Sequence, residues 1–243
     1  MKTRAVCTAF FAVAISGSVQ ADVAGLVQDA AVFYSLDGND LQVTSFEEAE
    51  YAVIDIYADF SAPNTNGNLN ADSFLLNMFD VNVSVDGFSS FVQKDASGVG
   101  SWKPNFSLDI PVANAFSQID SFVTINSGVG ADAAFNITEL DPGFEAGTNA
   151  DIFNTNIGWY QTPPAGDGGV MADLRVWIGR FVVTGEEARN GAGFSMTSTV
   201  GYDYQNDTGA FYGDASGDFT FVPAPGVLAM MSIGGLGMRR RRH

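Results

Sequence analysis

The chain has 243 residues, with 28 Asp or Glu against 11 Lys or Arg, and carries a net charge of −17. Residues 22–221 hold all 28 acidic residues and only five basic ones, a balance that repels nucleic-acid phosphates and anionic head groups. Cys7 and His243 are the only residues of their kinds, so between them lies no disulfide, no Cys–His zinc site, no thiol nucleophile and no histidine base.

The length suits one domain of about 200 residues between processing segments, large enough to bury about 70% of its unfolded surface. Phe and Gly are abundant, with 20 and 27 copies, while the straight-chain helix formers are scarce. That balance favours strands and turns. At the N-terminus, "MKTR" is a short basic region and "AVCTAFFAVAISGSV" an apolar one. Val19 and Ala21 then put small residues at the −3 and −1 positions of a cleavage site after Ala21. Residues 1–21 therefore read as a secretory signal peptide removed by signal peptidase. A retained anchor is the weaker reading, because the apolar run is short and Asp22 follows at once.

Strand candidates follow in chain order at residues 31–36 and 41–46. In "AVIDIYADF", Ala52, Ile54, Ile56, Ala58 and Phe60 alternate with Asp55, Tyr57 and Asp59. Phe79, Val81, Val83 and Val85 alternate with Asp80, Asn82, Ser84 and Asp86. Further candidates span residues 106–112, 119–125, 134–140 and 174–184. In "FSMTSTVGYDY", Phe194, Met196, Val200, Tyr202 and Tyr204 oppose Ser195, Thr197, Thr199 and Asp203. Residues 218–222 close the series. Period-two alternation of this kind marks half-buried strands. Gly-, Asn- and Asp-rich turns separate them, among them "APNTNGN", "TPPAGDGG", "RNGAG" and "YGDASGD", the last read as a release before the tail. Residues 45–51 and 112–118 could each hold a turn or two of helix. The sum is a mainly β chain: a single antiparallel β-sandwich, jelly-roll-like, over residues 22–221. Its expected core includes Ile54, Ile56, Phe79, Val81, Val83, Leu174, Val176, Phe194 and Met196.

Chemistry is harder to find. "NTNGNLNAD" (residues 64–72) and "DGND" (residues 37–40) crowd oxygen ligands as calcium requires, but no Glu stands at the twelfth position of an EF-hand loop. Turn-rich loops are the stronger reading, and calcium is the one cofactor candidate. Trp102, Trp159 and Tyr160 fall in loop-like settings ("GSWKPN", "NIGWYQTPP") and read either as core or as a platform for carbohydrate. Trp177, inside "LRVWIGRF", reads as core. The pairs Glu47/Glu48 and Glu186/Glu187 carry no weight as glycosidase carboxylates, since 28 acids always supply some pair. Glu50 and Asp55 are five positions apart and so face opposite sides of a strand. Neither a Gly-x-Ser-x-Gly elbow nor a phosphate loop with its Lys occurs.

The chain closes on "VPAPGVLAMMSIGGLGMRRRRH". Residues 227–238 are apolar, and as a helix would cover about 18 Å, short of a bilayer's roughly 30 Å. Arg239, Arg240, Arg241 and Arg242 follow directly, and would hold such a segment with its end in the cytoplasm. A Pro-x-Pro motif (Pro223, Ala224, Pro225), a short apolar segment and a terminal arginine cluster, in that order, resemble the PEP-CTERM sorting signal. Ala224 stands where members commonly carry Glu, and the Pro-Ala-Pro-Gly form looks like a known variant. The resemblance covers residues 222–243. It implies export, pausing in the inner membrane, cleavage near Pro223 by exosortase, and release to the cell surface or matrix, often beside exopolysaccharide. It implies no activity. Three functions stay open: a non-catalytic surface or matrix protein, a carbohydrate-binding module acting on exopolysaccharide, and a carboxylate-dependent hydrolase.

The small residues before Asp22 carry the first prediction. N-terminal sequencing of the exported protein should read from Asp22, and a chain still beginning at Met1 would disprove the signal peptide.

Overall fold

A computed structural model describes residues 23–38, 40–62, 73–94, 102, 118–125, 138–141, 157–161, 173–204 and 211–223. Within them eleven strands form two antiparallel sheets. Sheet I holds β1 (Gly25–Gln28), β2 (Val32–Asp37), β3 (Asp40–Val43), β4 (Tyr51–Asp59), β6 (Phe122–Val123) and β9 (Arg175–Thr184). Its order is β3-β2-β4-β9-β6, with β1 pairing the far end of the β4 edge that β2 also uses. Sheet II holds β5 (Ser73–Asp86), β7 (Thr138–Leu140), β8 (Ile157–Gln161), β10 (Gly193–Tyr204) and β11 (Phe211–Thr220), in the order β11-β10-β5-β8-β7. In chain order β4 pairs β9 and, nested inside it, β5 pairs β8, with β6 and β7 added to the same return strands. That nested hairpin folded over itself is the path of a jelly roll.

The alternation in β4 explains why the sheets stack. Ala52, Ile54, Ile56, Ala58 and Phe60 are all buried, facing Met78, Val81, Phe194, Met196 and Val200 in one core. Phe181 of sheet I meets Phe194 of sheet II at 5.2 Å, and Phe91 lies 5.1 Å from each. Edge and tilted contacts of this kind fill the roughly 10 Å between stacked sheets. A satellite cluster on the other side of sheet I, Val53, Ile119 and Val182, is also buried. The backbone crosses that face through Val92 N–H to Val182 O at 2.8 Å.

Three elements were not expected from pattern: β1, β8 and one helix. The helix α1 (Gly185–Arg189) starts at a capping box: Thr184 Oγ1 accepts from Glu187 N–H, and Glu187 Oε2 accepts from Thr184 N–H. Thr-x-x-Glu is a recognised helix start, and it gives Glu187 a structural task. Residues 45–51 hold one 3-10 turn, Phe46–Glu48. Residues 106–112 and 112–117 lie outside the described residues.

Three core expectations are corrected. Phe79 is only half-buried, because β5 carries an irregularity between Met78 and Val81 and Asp80 adopts a left-handed φ of 50°. One extra residue reverses the parity, so Met78 turns inward and Phe79 outward. Leu174 also has a left-handed φ, 62°, and is half-buried; the strand begins after it, at Arg175. Trp177 is half-buried, opposite Tyr57 on the outer side of sheet I. The other seven residues of that list, Ile54, Ile56, Val81, Val83, Val176, Phe194 and Met196, are buried.

"YGDASGD" is no release segment but part of β11, paired with β10 along its whole length. Its outward Tyr212, Asp214, Ser216 and Asp218 alternate with inward Gly213, Ala215, Gly217 and Phe219. Small residues are required there because β1 passes against the edge. A Cβ on Gly217 would lie 2.6 Å from Leu26 O and 2.6 Å from the Phe219 ring. Gln28 completes the closure, donating to Thr220 O at 3.0 Å and accepting from Thr220 N–H at 2.8 Å.

Gly217→Ala should therefore destabilise by about 1–3 kcal/mol, the usual cost of overpacking, although Gly→Ala in open extended chain commonly stabilises. The exposed neighbour Ser216→Ala should change stability by less than about 0.5 kcal/mol. Urea midpoints that fall equally for both, or for neither, would contradict this account of the edge.

Candidate functional site

Both outer faces of the sandwich display side chains, and they differ in kind. On sheet I the register sets Asp55 opposite Arg180, Tyr57 opposite Trp177 and Asp59 opposite Arg175. Arg180 donates from Nε and Nη2 to the two Asp55 oxygens, both at 2.8 Å. Its guanidinium also lies 5.4 Å from the Trp177 ring and 5.8 Å from that of Phe122. Arg175 bonds Asp29 at 2.8 Å and Asp173 at 2.6 Å and stacks 4.5 Å over Tyr57. Burial opposes the charge of Arg180, but the Asp55 carboxylate outweighs it and holds the guanidinium proton more firmly than usual. Each cation of this ladder has its anion, so the face is electrostatically closed.

Sheet II presents the opposite case. Its register aligns Glu139, Tyr160, Asn77, Gly201 and Tyr212 in one row across β7, β8, β5, β10 and β11. Tyr212 is 60% exposed and Tyr160 45% exposed. Between them Gly201 offers no side chain, and the Asn77 carboxamide occupies the space that a Cβ there would take. Asn77 Oδ1 is buried and has no hydrogen-bond partner. Phe79 braces Tyr212 edge-on at 5.7 Å. Beside this row an open cleft of about 350 Å³ is lined by Asp80, Thr197, Thr199, Asp214 and Ser216. Thr199 Oγ1 donates to Asp214 Oδ1 at 3.3 Å, and Asn82 Nδ2 donates to Asp80 O at 2.8 Å. The β5 bulge is what turns Asp80 toward this cleft, a common use of bulges beside sites.

Of the aromatic residues that the sequence offered for carbohydrate, only Tyr160 reaches solvent. Trp102 is 4% exposed and lies against Phe91 at 6.0 Å. Trp159 is 1% exposed, with Nε1–H donating to Thr124 O at 3.0 Å. Both fill the core, so neither offers a sugar platform in this fold. Tyr212, Phe79, Asn77, Asp80 and Asp214 were missed; the alternation in residues 211–220 was the available signal, masked by its glycines. Glu48 accepts from Thr44 Oγ1 at 3.3 Å, while Glu50 accepts from Leu36 N–H at 3.0 Å. Asp37 and Asp40 close the β2–β3 hairpin as a register pair, and residues 64–72 lie outside the described residues. Among the described residues no group of three or more His, Cys, Asp or Glu is placed to hold a metal. Pro223 is buried at the end of the described chain. Ala21, Ala224, Pro225, Arg239, Arg240, Arg241 and Arg242 lie outside the described residues.

The Tyr57 hydroxyl carries a pH prediction. Burial first, then the charges of Asp55 and Asp29, raise its pKa well above the ordinary value of 10.0. The unfolded chain therefore releases this proton before the folded one does. Stability from Tyr57 is full below about pH 10 and is lost as the pH rises beyond it. The denaturation midpoint should fall between about pH 9 and about pH 11, and Tyr57→Phe should remove part of that fall. An unchanged pH profile in the variant would refute the assignment.

Comparison with known proteins finds no matching family model, no matching curated protein and no matching solved structure.

Proposed function

We propose that the chain is an exported, non-catalytic bacterial protein of the cell surface or extracellular matrix, delivered through a C-terminal exosortase signal. The observation that carries this reading is the ordered end of the sequence: Val222-Pro223-Ala224-Pro225, an apolar run over residues 227–238, then Arg239, Arg240, Arg241 and Arg242. The N-terminal basic and apolar regions before Ala21 support export. A body with five basic and 28 acidic residues suits a soluble particle kept apart from its copies and from anionic lipids.

The physics of the tail supplies a division of labour. Each arginine adds about 2.5–3.5 kcal/mol to the cost of reaching the bilayer centre, so four together stop translocation. Twelve apolar residues hold the uncut chain at the membrane only weakly, and cleavage near Pro223 parts the body from them. The described residues end within the motif: Phe221 is fully buried and donates its N–H to Ala192 O at 3.3 Å, and Val222 and Pro223 follow. Signal peptidase and exosortase are the maturation partners on this reading.

Replacing all four arginines by Gln should let the uncut chain pass into the periplasm. Replacing Pro223 and Pro225 by Ala should leave it uncut and membrane-bound. Intact mass and fractionation in the native host read both outcomes. If both variants mature like the parent, the tail is no sorting signal.

A further inference from the structure

We propose that the outer face of sheet II is a binding groove for a neutral polysaccharide chain, lying across β11, β10, β5 and β8 between Tyr212 and Tyr160. This names a ligand class for the surface module argued above and rests on that reading. Tyr160 and Tyr212 are the exposed aromatic side chains among the residues whose side chains are described, and one register row carries both. They stand three strand spacings apart, about 14 Å, on the same side of one sheet. Gly201 and the flat Asn77 carboxamide leave the ground between them low. Two aromatic edges bounding a low polar floor suit an extended chain of rings better than a compact ligand.

The polar groups choose among such chains. Asp80 and Asp214 are acceptors, and Thr197, Thr199 and Ser216 both accept and donate. A sugar matches this set with hydroxyls that donate to the carboxylates and accept from the Thr and Ser hydroxyls, together with apolar ring faces for the tyrosines. Charge excludes the polyanions. The described cations Lys94, Arg175, Arg180 and Arg189 lie against Tyr51, Tyr57, Trp177 and the carbonyls of Phe46 and Ala49, all on sheet I or its connections. A uronate polymer or a nucleic acid would meet Asp80, Asp214 and Asp218 without a compensating cation among the described residues. The ligand is therefore not an anion, and a neutral chain supplies the ring faces that the tyrosines would stack on.

The test titrates the protein isolated from its own host, by calorimetry, with cellohexaose, xylohexaose and mannohexaose, and with an alginate hexamer as the anionic control. At least one neutral hexamer should bind, and Tyr212→Ala and Tyr160→Ala should each weaken it by at least about tenfold. Asp214→Asn should also weaken binding, and Trp177→Ala, on the other sheet, should leave it unchanged. Since both tyrosines are exposed, their loss should spare the fold, and an unchanged thermal midpoint checks this. Binding to none of the neutral hexamers, binding to alginate alone, or affinity undiminished in both tyrosine variants would overturn the groove. A protein that is cut at both ends and reaches the surface yet binds no neutral glycan removes the groove and leaves the export reading standing. One that binds but stays uncut does the reverse.

Discussion

Phe181 on one sheet and Phe194 on the other meet ring against ring, with Phe91 touching both, and the rest of the molecule is arranged around closing that gap. Two sheets stacked roughly 10 Å apart are stable only if the space is filled. With no disulfide available between residues 22 and 221, packing has to hold the layers together. Large rings fill the space efficiently: Phe194 continues to Phe219 at 5.1 Å, and Trp102 reaches Phe181 at 6.3 Å. At the β1–β11 side the gap narrows, and there the inward positions shrink to Gly213, Ala215 and Gly217. Large residues at the centre and small ones at the closing edge answer one geometric demand.

The same demand decides what the outer faces can show. Once Trp102 and Trp159 are drawn inward, the aromatic groups left for ligands are those that parity turns outward. The β5 bulge at Asp80 matters here because it exchanges Met78 for Phe79 on the inner face. A single left-handed residue thus keeps the core continuous on both sides of it. It also delivers an aromatic ring and a carboxylate to the outside. Asp tolerates that backbone better than most residues do.

Charge is distributed as unevenly in space as it is along the chain. Arg175 and Arg180 belong to one strand, four register pairs apart across β4, and are neutralised by Asp29, Asp173 and Asp55. Arg189 reaches back to the carbonyls of Phe46 and Ala49, tying α1 to the 3-10 turn. Cations this few are used as internal fastenings of sheet I, which leaves the outer face of sheet II acidic and hydroxyl-rich. An acidic face attracts cations and tolerates neutral ligands, so the placement of a few arginines governs which molecules can approach the other side.

Several features were determined by sequence alone. Alternation in residues 52–60 and 194–202 announced two buried strand faces, since side chains of a strand alternate whatever it pairs with. The scarcity of helix formers and the density of turn residues announced a β-sandwich, and two antiparallel sheets are what the chain forms. The proposed processing segments rest on sequence alone, because their reading depends on order and spacing rather than on packing. Tertiary structure decided the rest. It made Trp102 and Trp159 core and Trp177 surface, a choice that depends on register and on a bulge far away in sequence. It turned the glycine-rich "YGDASGD" into a full strand, because only the approach of β1 explains why those positions must be small. And it set Tyr160 and Tyr212, 52 positions apart in sequence, in one row of sheet II through three pairings that no local pattern encodes. Local physics reports a residue's own preference; which residues share a face is settled only by the strands that come to lie between them.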